Sequence, residues 1–320
     1  MRVGVARACA NLALVKYWGK KDERLVLPLS PSLSLTLKDL QTTTRFTSVE
    51  DPEKKEVRID GKKVDSSRVS EYLQTLFKVF DYHGGYLIES ENSFPARAGL
   101  ASSSSGFCAL AGAFVSAMEK DLKPEEISRL SRLGSGSACR SVFKGFSEWN
   151  VGDDETSIAK PIESPLERTI SVICCLVDSK PKAASSREGM RIAKTSPLYE
   201  AFITECFEDF EKTKKAVIDG DLETLGTVAE KNTEAMNRVN STSTPQLNYL
   251  EPLSQKLQER IKELRSEGLP CWFTNDAGPN LFVITDRDHE ATIDRRLKEE
   301  IAGLRTIVTS SGPGLEVIHG

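Results

Sequence analysis

The run FPARAGLASSSSGFCALAGAF, from Phe94 to Phe114, constrains this chain more than any other stretch. Beyond its serines, Phe107, Leu110, Ala111, Phe114, Val115 and Met118 recur at helical spacing, which predicts a core helix that anchors the loop before it. The first N–H groups of a helix lack intrahelical partners, and the helix dipole is positive at that end. Four consecutive hydroxyls, Ser102 to Ser105, fall at this start, so amides, hydroxyls and dipole together could hold a phosphate chain. A serine-capped core helix with a glycine lead-in fits the same residues, and the run alone leaves both readings open.

With 320 residues the chain has room for about two lobes around a sizeable core. A net charge of −4 argues against general attraction to nucleic acid or to an anionic membrane, while leaving room for a local basic pocket around an acidic small molecule. No apolar run is long enough to span a bilayer, and charges interrupt any signal-peptide core in MRVGVARACANLALVKYWGK, so a cytoplasmic location is expected. The seven cysteines are scattered without metal-ligand spacing and read as reduced, mostly buried thiols. His83, His289 and His319 are isolated; none belongs to a zinc helix or a nucleophilic triad.

Along the chain, ANLALVKYWGKKD gathers Asn11, Lys16, Tyr17, Trp18, Gly19 and Lys20. It fits an anion-binding loop or an ordinary lysine-glycine surface turn. Leu33, Leu35 and Leu37 alternate with Ser34 and Thr36 as in a half-buried strand, and Thr42 to Val49 reads as a second strand. Asp60-Gly61 marks a two-residue hairpin. Val69, Tyr72, Leu73, Leu76, Phe77 and Phe80 predict an amphipathic helix, followed by a strand over Tyr86 to Ser90. A helix starts at Pro124 and ends near Gly134. The small-residue turn GSGSACRS then delivers Arg140, which fits a phosphate or carboxylate fork as well as an exposed arginine on a flexible turn.

The polar, acidic stretch from Val151 to Pro165 is the candidate lobe boundary. A buried strand over Ile170 to Val177 precedes a small-residue loop carrying Lys182, Ser185, Ser186 and Arg187. Long helical periodicities follow, and WFTNDAGPNLFVIT reads as strand, turn, strand with Asp276 at the turn. Asp-x-Gly-Pro is common turn chemistry, so the local reading of Asp276 is structural.

Five motifs in order, KYWGK, PARAGLASSSSG, GSGSACRS, SSREGM and NDAGPN, together resemble the GHMP kinase superfamily and, within it, the mevalonate diphosphate decarboxylases. The resemblance runs from Ala10 to Gly314. It implies an α+β, two-lobed fold: an N-terminal mixed-sheet lobe over residues 1–160 with the ATP phosphate loop, a C-terminal ferredoxin-like lobe over 161–320, and an active site in the cleft between them. It also implies the reaction. ATP, with Mg²⁺, phosphorylates the C3 hydroxyl of 5-diphosphomevalonate, and isopentenyl diphosphate, carbon dioxide, ADP and phosphate result, a step of isoprenoid biosynthesis. Homodimers are expected from the same resemblance.

The chemistry explains what such a site must contain. A 3-hydroxy acid with no neighbouring carbonyl has no electron sink, so its hydroxyl must become a leaving group before carbon dioxide can depart. That demands a carboxylate near the C3 oxygen, cations for the diphosphate and the transferred phosphoryl group, and a nest for the nucleotide. Position by position, the resemblance implies that Asp276 orients or deprotonates the C3 hydroxyl and that Lys16 lies beside it and helps keep it ionised. It gives Tyr17 and Lys20 to the substrate diphosphate, Arg140 to substrate carboxylate and phosphate, Ser186 and Arg187 to the terminal phosphate, and Asn11 to the substrate pocket. Gly99, Ala101, Ser102, Ser103, Ser104 and Ser105 would hold the nucleotide phosphates. No residue is assigned to the metal.

Two departures stand out. Ala96 and Arg97 replace a Thr-Ala that many relatives carry before the Ala-Gly-Leu of the loop. Asn237 follows Met236 where relatives often have histidine. The alternatives of the same fold are a phosphomevalonate decarboxylase and a mevalonate 3-kinase; a non-catalytic ligand-binding homologue is the alternative from another class.

Overall fold

The structure is a computed structural model, described for residues 1–65, 67–94, 102–177 and 184–318. Gly99, Ala101, Arg97 and Lys182 lie outside the described residues.

Strand β1 (Val3–Val15) opens the chain, where the sequence reading finds no strand. From Ala8 onward it is buried on both faces, so no alternation betrays it. A small hairpin, β2 (Lys20–Asp22) and β3 (Leu27–Pro28), follows. The two strands expected next are one, β4 (Ser32–Val49), antiparallel to β1 along its length. Its start is not half-buried as the alternation predicts: Ser34 and Thr36 are buried beside the leucines. Their hydroxyls are accommodated because Thr36 Oγ1 donates to Phe143 O at 2.9 Å and Ser34 Oγ meets Ser147 Oγ at 3.4 Å.

The expected hairpin forms between β5 (Lys55–Ile59) and β6 (Lys62–Lys63), with Asp60 and Gly61 at φ 50° and 75°, as a two-residue turn of the primed type requires. Helix α1 (Ser67–Phe80) and strand β7 (Gly85–Asn92) follow. Because β7 pairs antiparallel with β4 and parallel with β5, the sheet is mixed. Helix α2 (Ser102–Ala117) lies close on this sheet: a Cβ built at Gly4 would come within 2.1 Å of Ala113 O. Helix α3 (Pro124–Gly134) leads into a 3-10 helix, Gly136–Val142, then β8 (Phe146–Trp149) and β9 (Ala159–Ile162), which extend the same sheet.

The second sheet begins with β10 (Ile170–Leu176). Helices α4 (Ser186–Ala193), α5 (Tyr199–Asp219), α6 (Leu222–Ser241) and α7 (Pro252–Ser266) separate it from β11 (Trp272–Thr274) and β12 (Leu281–Asp286). Helix α8 (Glu290–Glu300) and β13 (Arg305–Ser310) complete an antiparallel sheet of order β11-β12-β10-β13. That order, with helices crossing between its halves, is the ferredoxin-like arrangement. The last strand, β14 (Glu316–Ile318), returns to pair with β1.

Alternation on β10 explains how the lobes join. Ile173 and Cys175 face α7 and α8 in a core of their own. Val172 and Cys174 face the other way and belong to the main core with β1, β4 and α2. The cleft between the two sheets is thus walled by one continuous apolar body, which fixes the ends of β1 and of the β11–β12 turn against each other.

Candidate active site

A cavity of about 370 Å³ opens where these ends meet. Lys16 follows directly on β1, and its side chain is 2% exposed. Its Nζ donates to Ala13 O at 2.7 Å and to Asp276 Oδ1 at 3.3 Å. Asp276 reaches the cavity from the turn between β11 and β12, a turn tightened by Gly278 N donating to Asp276 O at 2.8 Å. Burial pulls the Lys16 ammonium below the usual lysine range and Arg140 adds to that, while Asp276 opposes both.

Arg140 is 1% exposed, and from Gly136 onward GSGSACRS lies in the 3-10 helix, not in a flexible surface turn. The Arg140 guanidinium donates to Ser32 Oγ and, at 3.3 Å, to Asn11 Oδ1, while its Nε has no hydrogen-bond partner. Burial also lowers its pKa. Asn11 is held in turn: its Nδ2 donates to Ser137 O and Ser141 Oγ, both at 2.8 Å. Tyr17 packs edge-on against Trp149 with centroids 4.8 Å apart, and its buried hydroxyl has no partner; burial drives that hydroxyl's pKa up. A buried group left unsatisfied is costly, and both belong to residues that line the cavity.

The four serines divide two and two. Ser102 and Ser103 line the cavity. Ser104 and Ser105 are fully buried: Ser104 Oγ accepts from Asn11 N at 3.3 Å, and Ser105 Oγ meets Thr42 Oγ1 at 2.7 Å. Successive helical side chains point about 100° apart, so a run of four cannot face one ligand; half of it fastens α2 to the sheet.

Lys20, Ser186 and Arg187 also line the cavity. Lys20 Nζ bonds Glu23 Oε2 at 2.7 Å, and burial lowers its pKa against the pull of that carboxylate. Ser185 caps α4 by accepting from Glu188 N at 3.2 Å, which presents Ser186 and Arg187 in the first turn. One charged lining residue escaped the sequence reading. Arg68, at the start of α1, stacks over Phe107 at 4.6 Å, and burial, with Arg187 nearby, lowers its pKa to about 10. An arginine in the first turn of an amphipathic helix reads as solvated; its stacking partner Phe107 and its acceptor Gly134 O, both far along the chain, turn it inward.

The charged lining residues are therefore Lys16, Lys20, Arg68, Arg140 and Arg187 against the single carboxylate of Asp276. In a chain of net charge −4, that concentration of cations around one carboxylate suits a polyanionic ligand.

Residues 8–159 match the diphosphomevalonate decarboxylase-like N-terminal domain, and residues 172–311 match the mevalonate 5-diphosphate decarboxylase C-terminal domain. A diphosphomevalonate decarboxylase of Candida albicans is 33% identical over 350 residues, covering 96% of this chain and 95% of its own. This chain belongs to the diphosphomevalonate decarboxylase family. Mevalonate diphosphate decarboxylase from Staphylococcus aureus has the same fold at a TM-score of 0.96 and 36% identity, covering 99% of this chain and 98% of its own. A structure of MDDEF in complex with MVAPP, AMPPCP and magnesium also reaches 0.96, at 35% identity over 100% of this chain and 99% of that one. The two-lobed α+β fold of the family is the fold seen here. Among the described residues no helix is long and apolar enough to cross a membrane.

Proposed function

We propose that this chain catalyses the ATP-dependent decarboxylation of 5-diphosphomevalonate to isopentenyl diphosphate, releasing carbon dioxide, ADP and phosphate. The observation that carries the reading is the Lys16–Asp276 pair, 3.3 Å apart, as the one base in a ring of four further cations. A relative solved with MVAPP, AMPPCP and magnesium supports the choice of ligands.

In this reading Asp276 accepts the hydrogen bond of the C3 hydroxyl and takes its proton as the γ-phosphoryl group arrives. Lys16 holds the carboxylate in place from behind. Arg140, rigid on Ser32 and Asn11, binds the substrate carboxylate and then the new phosphate. The C3–O bond breaks with phosphate leaving, the electron pair of the C–C bond to the carboxylate becomes the alkene, and carbon dioxide departs. A fixed guanidinium stabilises the charge on the leaving phosphate without reorganising. Tyr17, Lys20, Ser186 and Arg187 take the substrate diphosphate. Ser102 and Ser103 hold the nucleotide phosphates, with Arg68 beside them; Ser104 and Ser105 serve the nest by anchoring its helix.

The donor set suits Mg²⁺. Among the described residues there is no cluster of three or more metal-ligating side chains, but this ion is commonly held by substrate phosphates with one or two carboxylates, and Asp276 and the Ser102 and Ser103 hydroxyls supply that chemistry. Held there, such an ion would offset phosphate charge. A lobe boundary near residue 160 and a cytoplasmic location, both expected from the sequence, and a homodimer, expected from the family resemblance, belong to the same reading.

The test is an assay of carbon dioxide and ADP with ATP, Mg²⁺ and, in parallel, mevalonate, its monophosphate and its diphosphate. Equal release of both products with the diphosphate is the expected result. ADP without carbon dioxide means a kinase, and turnover of the monophosphate alone means a different decarboxylase.

A further inference from the structure

Helix α6 gives the cavity one lining side chain, Met236, yet it grips both halves of the Lys16–Asp276 pair. Asn232, fully buried, accepts from Lys16 N through Oδ1 at 2.9 Å. The orientation of its amide is fixed by its other end, where Nδ2 donates to Asp209 Oδ2 at 2.9 Å: a backbone N–H needs an acceptor and a carboxylate needs a donor. Asp209 is itself buried and held by Lys231 Nζ at 3.2 Å. Five residues further along α6, Asn237 and Asn275 exchange amide hydrogen bonds, Asn237 Nδ2 to Asn275 Oδ1 at 3.0 Å and Asn275 Nδ2 to Asn237 Oδ1 at 3.3 Å. Asn275 Nδ2 also donates to Asp276 O at 2.9 Å. Between the two grips, Thr233 Oγ1 meets Thr274 Oγ1 at 2.7 Å.

We propose that Asn232 and Asn237 are positioning residues that set the separation of Lys16 Nζ and Asp276 Oδ1 from a common helix. Lys16 and Asp276 come from different sheets, and no strand pairing links the end of β1 to the β11–β12 turn. The rigid element that reaches both places is α6, directly at the Lys16 backbone N–H and, through the Asn275 side chain, at the Asp276 carbonyl. One helix therefore acts as the gauge between a cation and a carboxylate that are 260 residues apart in the chain. Asn237 forms the end of the gauge nearer to Asp276. The catalytic importance of the pair rests on the proposed function; the geometric claim does not.

The experiment is Asn237→Ala, because Asn237 is only half-buried and its loss strands no buried carboxylate, unlike loss of Asn232. Crystal structures of wild type and variant should show the Lys16–Asp276 separation lengthened beyond hydrogen-bond range. Kinetics should show kcat reduced about ten- to a hundredfold, the usual consequence of displacing a reacting group by about 1 Å, with KM for ATP and for the diphosphate within about twofold of wild type. An unchanged separation overturns the proposal whatever the enzyme's substrate proves to be. A displaced pair with wild-type kcat overturns the positioning role, and a raised KM with kcat intact assigns Asn237 to binding instead. If Asn237→Ala does not fold, Asn237→Ser, which cannot make both amide bonds, serves the same comparison. A wild type that does not decarboxylate would remove the proposed function and leave the distance measurement as the test.

Discussion

Arg68 and Arg187 donate to the same acceptor, the carbonyl oxygen of Gly134, at 3.2 and 3.1 Å. That carbonyl ends α3, where the helix dipole is negative. One arginine rides on α1 in the first lobe, the other on α4 beyond the β10 strand. Each lowers its cost by sharing the helix end, but neither finds a carboxylate among the described residues, and Arg187 pushes the Arg68 pKa down. The arrangement stores like-charge repulsion that a phosphate relieves.

Arg68→Met keeps the packing on Phe107 and removes the charge. It should weaken binding of ATP or of inorganic pyrophosphate about tenfold, since a charge-assisted hydrogen bond contributes ~1.5–3 kcal/mol, and leave Tm of the free protein unchanged or raised. Titration calorimetry and a melting curve check both. Unaltered affinity would make Arg68 a structural cap of α3.

The Lys16 ammonium, lowered by burial, sets the pH dependence. In the proposed reaction it is the charged form that holds Asp276, and that form disappears as pH rises through a pKa that lies below the ordinary lysine value. The alkaline limb of kcat should therefore fall at a lower pH than an exposed lysine would impose. In Lys16→Arg the limb should vanish, because guanidinium stays charged, with kcat itself reduced by the altered reach. A limb that persists in Lys16→Arg means another group titrates there.

Glu23 occupies Lys20 at 2.7 Å and lies 3.5 Å from Arg191. A substrate diphosphate that takes Lys20 must compete with this carboxylate. Glu23→Gln should lower KM for the diphosphate several-fold while leaving KM for ATP alone. Equal effects on both would show that Glu23 acts on the hairpin as a whole. A partner exposed to solvent is screened, so the effect should shrink with added salt.

Local order was readable where it is local. Asp60-Gly61 turned as a two-residue hairpin must, and Tyr72, Leu73 and Leu76 bury the face of α1 that their spacing defines. Strand β1 was not readable, since burial on both faces erases the alternation that marks a strand. Asp276 reads as an ordinary turn residue because its partner, Lys16, lies in another sheet; no periodicity carries a contact across that separation. Only five motifs taken together, through family resemblance, bring the two into one site. Ser104 and Ser105 show the limit of adjacency: four consecutive hydroxyls read as one nest, and helical rotation turns the side chains of two of them into the sheet.

Gly136 offers the sharpest test of the Tyr17 side of the cavity. A Cβ there would stand 2.6 Å from Tyr17 Cε1 and 2.8 Å from its hydroxyl oxygen. The ring is also packed edge-on against Trp149, so it cannot move freely, and Gly136→Ala should displace the hydroxyl. Tyr17→Phe removes that hydroxyl without moving the ring. Because the hydroxyl is buried with no partner, its removal should leave Tm unchanged or raise it by relieving an unsatisfied group. If the hydroxyl donates to the substrate diphosphate, both variants raise KM for the diphosphate about tenfold and spare KM for ATP. In the double variant the losses should not add, since both act through one hydrogen bond. Additive losses would mean that the alanine acts elsewhere, through the 3-10 helix and Arg140, and the signature of that outcome is a fall in kcat.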